Sequence, residues 1–157
     1  MSNTLIIGYG NPLRGDDGFG WHAALQLSRE PRDEQVQVLA LHQLTLELAE
    51  PVSRARMVIF LDAREGDRPG EVSVERAGPV DASTALFTHH LTPSTLLACA
   101  RVLYGACPES FLVTVCGSVF GYGERLSPAV LEALPQALSE ARLLVAQSLA
   151  PAETAAR

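Results

Sequence analysis

The chain has 157 residues, 47% of them hydrophobic, and a formal net charge of −6. That length and apolar content suit one domain with a substantial core, and the acidic balance argues against a nucleic-acid binder, which presents a basic face. No run of about 18 apolar residues occurs, so no membrane span is expected, and Met1-Ser2-Asn3-Thr4 lacks the basic segment of a signal peptide.

In chain order, Thr4 to Gly8 is an apolar run that predicts a strand. A helix over Gly20 to Ser28 follows, and Pro31 to Glu34 reads as a polar loop. Val36 to Leu41 alternates and then turns apolar, the pattern of a second strand. Leu44 to Ala49 has helix-forming composition and should stop before Pro51, because a residue preceding proline is pushed out of the helical region. Met57 to Leu61 is a continuous apolar run closed by Asp62, as in a strand buried on both faces. Arg64 to Gly70 is a charged turn. Glu71 to Arg76 alternates and suits a sheet edge, where an antiparallel direction is open to it.

Pro93 to Leu103 has helical spacing and ends at Gly105, a good C-cap. Phe111 to Val115 is a further buried strand. Ser127-Pro128 pairs an N-cap with proline at the first helical position. The helix from Pro128 to Leu149 carries an apolar stripe of Val130, Leu131, Leu134, Leu138, Ala141, Leu144, Val145 and Leu149. Strands alternating with helices predict an α/β fold. The expected architecture is a single-domain three-layer sandwich: a mostly parallel, twisted five-stranded sheet with helices on both faces. Residues 1–150 make that domain and 151–157 a flexible tail. Cys99, Cys107 and Cys116 are odd in number and lack C-x-x-C spacing, as expected of reduced thiols in a cytoplasmic protein.

Chemistry concentrates in Gly8-Tyr-Gly-Asn-Pro-Leu-Arg-Gly-Asp-Asp-Gly-Phe-Gly20, which joins the first strand to the first helix. It is not a dinucleotide fingerprint, because Leu13 stands where the third glycine of G-x-G-x-x-G belongs. No Gly-Lys-Ser/Thr follows, so it is no P-loop either. Two aspartates repel phosphate and suit a cation. One of them also suits a helix cap, and the other a solvated first turn. Asp62 sits where open α/β sheets place ligands, or else caps its own turn beside Arg64. His89 and His90 lie in a loop before a helix, a position compatible with a ligand or with plain surface. Asp, Asp and His from three loops of one sheet form an open N/O ligand set that suits nickel, zinc, manganese or iron better than calcium or magnesium. A serine or cysteine hydrolase reading fails for want of a G-x-S-x-G elbow.

These motifs, with T-H-H before a helix ending L-Y-G and the later G-Y-G-E-R-L-S-P-A-V, resemble the hydrogenase maturation endopeptidases over roughly residues 4 to 148. The resemblance implies a cytoplasmic peptidase that removes the C-terminal extension of a nickel–iron hydrogenase large-subunit precursor after nickel insertion. It implies that the metal is the substrate's own nickel, so that an isolated sample holds at most an adventitious divalent ion. The family's first acidic ligand corresponds to Asp17, its second to Asp62, and its histidine, counted back from Gly105, to His90 with His89 adjacent. Asp16 is then a neighbour that orients a ligand, acts as a base, meets substrate or caps a helix. Where the family often has a Gly-Gly-Thr-like turn, this chain has Leu41-His-Gln-Leu-Thr45, which makes His42 and Gln43 candidate substrate contacts. A non-catalytic assembly factor that escorts the nickel-loaded precursor uses the same three residues, and an independent zinc hydrolase is a third reading.

Overall fold

The computed structural model describes residues 4–81 and 90–150. Five strands make one sheet: β1 (Thr4–Tyr9), β2 (Val36–Leu41), β3 (Met57–Arg64), β4 (Val72–Ala77) and β5 (Glu109–Cys116). Their order is β2-β1-β3-β5-β4. The first four positions of that order are parallel, and β4 pairs antiparallel with β5 at the edge. The helices are α1 (Phe19–Ser28), α2 (Ala49–Arg54), α3 (Pro93–Tyr104) and α4 (Pro128–Leu149).

Alternation along the strands divides the core in two. Ile6, Ile59, Leu61 and Val113 face Phe19 and Ala23 of α1 and Val130, Ala137 and Leu138 of α4. Leu5, Ile7, Val58 and Phe60 face Val52 of α2 and Leu96 and Leu97 of α3. The three expected layers are therefore present. Gly20 lets α1 lie hard against the sheet: a Cβ there would stand 2.1 Å from the Leu61 carbonyl oxygen.

The ends of α3 and α4 follow the sequence signals. Thr92 and Thr95 form a reciprocal capping box, and Gly105 closes α3 at φ 75°. The Ser127 side chain accepts from the Val130 amide at the start of α4.

Two boundaries and one buried position differ from expectation. Leu46–Leu48 is a 3-10 turn, and α2 continues through Pro51 to Arg54. Pro51 falls in the first turn of α2, where its missing N–H would have had no intrahelical partner. β3 does not stop at Leu61, because Asp62, Ala63 and Arg64 stay paired with Thr114, Val115 and Cys116. In α4, Leu131 is 58% exposed, outside the buried stripe, although Val130, Leu138, Ala141 and Leu144 are buried as expected. His89 and the 151–157 tail lie outside the described residues. All three cysteines are free, with Cys99 and Cys116 buried and Cys107 exposed. Among the described residues no helix is long and apolar enough to cross a membrane.

Leu138 is 2% exposed in the layer between α4 and the sheet. Leu138→Ala is expected to cost about 3 kcal/mol, from lost transfer energy plus the cavity left behind. A denaturant titration measures this, and an unchanged midpoint would remove α4 from the core.

Candidate functional site

The strand order turns at β1. The chain leaves β1 for β2 on one side, and β3 lies on the other. Such a switch point opens a crevice beyond the carboxyl ends of the central strands. A cavity of about 330 Å³ lies at that edge, bordered by Tyr9, Gly10, Asp17, His42, Gln43, Asp62 and His90. All three expected ligand residues thus reach one cavity from the segments after β1, within β3 and before α3. As they stand, no three His, Cys, Asp or Glu side chains among the described residues are placed to hold a metal ion.

The loop after β1 positions Asp17. Gly10 has φ 146°, and a Cβ on it would come within 1.8 Å of the Asp17 carbonyl oxygen. Only glycine permits that approach at that dihedral. The Asn11 amide then donates to Asp17 Oδ2 at 2.8 Å. Asn11 Oδ1 in turn accepts from the Leu13 amide at 2.9 Å, an Asx turn that stiffens the loop.

Asp62 is held from two sides. Tyr9 Oη donates to its Oδ2 at 2.8 Å, and the Ala63 amide donates to its Oδ1 at 2.8 Å. Burial pushes the Asp62 carboxyl up to about 7; the bonds from Tyr9 and Ala63 oppose that rise and the nearby Asp17 charge adds to it. Burial and the two aspartates push the Tyr9 phenol far upward, so it stays a donor. Of the two readings of Asp62, the turn cap paired with Arg64 is not the one seen. Arg64 instead pairs with Glu71.

Tyr9 is a site residue that sequence reasoning did not single out. Its signal was available: flanked by Gly8 and Gly10, it offers the one side chain at the end of β1. Gly8 pairs with Leu61, so the next residues along, Tyr9 and Asp62, lie side by side.

Asp16 has a different role from Asp17. It is fully buried and does not border the cavity. Its carboxylate accepts from the amides of Ser118, Val119 and Ser127 at 2.8, 3.0 and 2.7 Å, and from Ser127 Oγ at 2.8 Å. It caps neither its own 3-10 turn nor α1. It ties the β1 loop to the segment after β5 and to the N-cap of α4. Burial alone would raise its pKa, but the bonds from Ser118, Ser127 and Val119 hold it below the ordinary carboxylate value.

His42 and Gln43 are exposed at the rim, and the Trp21 ring lies 6.2 Å from that of His42. Leu44 beside them is 7% exposed and belongs to the core under α2 and α3. Thr45 precedes the 3-10 turn without a side-chain cap.

The raised pKa of Asp62 carries a sign. Its folded value of about 7 lies above the unfolded value of about 4. Its ionisation therefore costs nothing below about pH 4, and the cost is complete above about pH 7. Asp62→Asn is expected to raise the melting temperature at pH 8 and to leave it unchanged at pH 4. An equal shift at both values would trace the effect to something other than charge burial.

No family model matches the chain, and no curated protein matches it. Solved structures do. A hydrogenase 2 maturation peptidase from Thaumarchaeota archaeon SCGC_AB-539-E09 is 25% identical, with a TM-score of 0.70 over 92% of this chain and 99% of its own. The hydrogenase maturating endopeptidase HybD from E. coli is 23% identical, with a TM-score of 0.77 over 95% and 94%. The [NiFe] hydrogenase maturation protease HybD from Thermococcus kodakarensis is 23% identical, with a TM-score of 0.72 over 92% and 99%. The fold is that of the hydrogenase maturation peptidases, in agreement with the resemblance read in the sequence.

Proposed function

We propose that this chain, sharing the fold of the hydrogenase maturation peptidases, is itself an endopeptidase of that kind. It removes the C-terminal extension of a nickel–iron hydrogenase large-subunit precursor after nickel insertion. The observation that carries this reading is the cavity at the switch point, which Asp17, Asp62 and His90 border from three separate segments. In this reading nickel belongs to the substrate. An open set of two carboxylates and one imidazole is a borderline N/O site that can sense nickel while leaving coordination positions for the precursor's own ligands. Asp62 is expensive to ionise where it sits, and a cation beside it reverses that preference. Nickel engagement therefore releases a proton near neutral pH. The nickel would mark the precursor, and any Lewis acidity it lent the scissile carbonyl would come from the ion held beside Asp17, Asp62 and His90.

The test is incubation with nickel-loaded and nickel-free precursor, followed by intact mass measurement. Loss of the C-terminal peptide from the nickel-loaded form alone is the expected result. Tight binding without shortening would favour an assembly factor and overturn the protease reading.

His42 and Gln43 act at the rim as polar contacts for the extended peptide, supplying discrimination that nickel alone cannot. Gln43→Ala is expected to lower kcat/KM by an amount equal to about 1–2 kcal/mol, the worth of one lost hydrogen bond, with no change in melting temperature. Full activity in both Gln43→Ala and His42→Ala would return this loop to scaffolding.

A further inference from the structure

A second concavity lies on the other face of the sheet from α2 and α3. α1 and α4 both start at the carboxyl edge, and between them runs a groove of about 530 Å³. Leu25 of α1 and Arg29 just after it line one side, and Arg125, Leu126, Leu131 and Leu134 line the other. Leu131, outside the buried stripe of α4, is 58% exposed there. With Leu25, Leu126 and Leu134 it gives the groove an apolar floor.

The groove carries positive charge on both sides of its lining, in Arg29 and Arg125. Arg29 and Arg125 form no ion pair among the described residues. Two unpaired guanidinium groups over a leucine floor, in a chain of net charge −6, fit an acidic amphipathic segment. The first turn of α1 lies between groove and cavity: the Trp21 ring stands 6.2 Å from that of the rim residue His42, and His22, 5.0 Å from Trp21 between rings, lines the groove.

We infer that this groove docks an acidic, leucine-bearing helical segment of the same hydrogenase precursor, at a distance from the nickel-reading cavity; this rests on the function proposed above. The nickel mark is common to many precursors, so a remote contact of this kind tells one from another. Arginine provides bidentate recognition of carboxylates, and the leucine floor provides apolar burial.

The test compares wild type, Arg29→Glu/Arg125→Glu, Leu131→Asp and the control Arg56→Glu on purified nickel-loaded precursor. Binding is read by biolayer interferometry, cleavage by steady-state kinetics, and oligomeric state by light scattering. The altered residues are exposed, and a thermal melt checks that each variant stays folded. Expected are a rise of about tenfold in Kd and KM in both groove variants, kcat within about twofold of wild type, and an intermediate loss in Arg29→Lys/Arg125→Lys, which keeps the charge but not the bidentate contact. Unchanged binding and KM in both groove variants would overturn the inference. So would a groove variant that turns a dimer into a monomer, since the groove would then hold a second copy of the chain. A wild-type protein that binds the precursor without shortening it defeats the protease reading alone, and the docking inference is still decided by the Kd values. A wild-type protein that does not bind the precursor overturns both.

Discussion

Asp17→Ala and Asp62→Ala are each expected to lower kcat/KM for the nickel-loaded precursor on the order of a thousandfold, equal to about 4 kcal/mol, with the fold intact. Each removes one of three donors that border the cavity. On the proposed function the loss exceeds that of an ordinary hydrogen bond, because a carboxylate facing the substrate's nickel would contribute both charge and ligation. Folding should survive. Asp17 gives up a bond from the Asn11 amide, and Asp62 gives up bonds from Tyr9 and Ala63. Removing Asp62 also relieves the burial of a group whose ionisation is unfavourable. The measurement is single-turnover cleavage beside a thermal melt. Near-wild-type cleavage by either variant would take that residue out of the site. Tyr9→Phe separates positioning from ligation. It leaves all three donors in place and frees Asp62 to turn, so a smaller loss of cleavage is expected.

Asp16→Ala is expected to destabilise the protein by about 4–5 kcal/mol, at the upper end for a single substitution. Its carboxylate is fully buried and accepts four hydrogen bonds. Deleting it strands three backbone N–H groups, and an unsatisfied buried donor costs about 1–3 kcal/mol. The connection between the β1 loop, the segment after β5 and α4 would loosen together. Asp16→Asn is nearly as harmful, because the amide turns an N–H toward backbone donors. The pH dependence has the opposite sign to that of Asp62. The Asp16 pKa is depressed in the folded state, so its stabilisation is present above the ordinary carboxylate value of about 4 and is lost as pH falls toward the folded value. Denaturant titrations at pH 7 and pH 3 should show the gap between wild type and Asp16→Asn narrowing in acid. A constant gap would mean that the carboxylate's charge is not what holds the junction.

The neighbouring aspartates show how far the sequence reaches. Strand runs such as Leu5-Ile-Ile7, the Ser127-Pro128 start of α4 and the Gly105 stop of α3 were legible because periodicity, capping and backbone permissiveness are local properties. Local physics also marked the loop between Gly8 and Gly20, Asp62 at the end of an apolar run and the histidines before α3. Local physics could not say which of two adjacent carboxylates faces the cavity. That was decided by Gly10 folding back on Asp17 and by amides more than a hundred residues along the chain closing around Asp16. The Tyr9–Asp62 contact is likewise a matter of β1–β3 register, and the exposure of Leu131 is a matter of how α4 packs. Burial and partnership over long sequence separations are set by packing, so a one-dimensional pattern names the residues while the tertiary structure assigns their work.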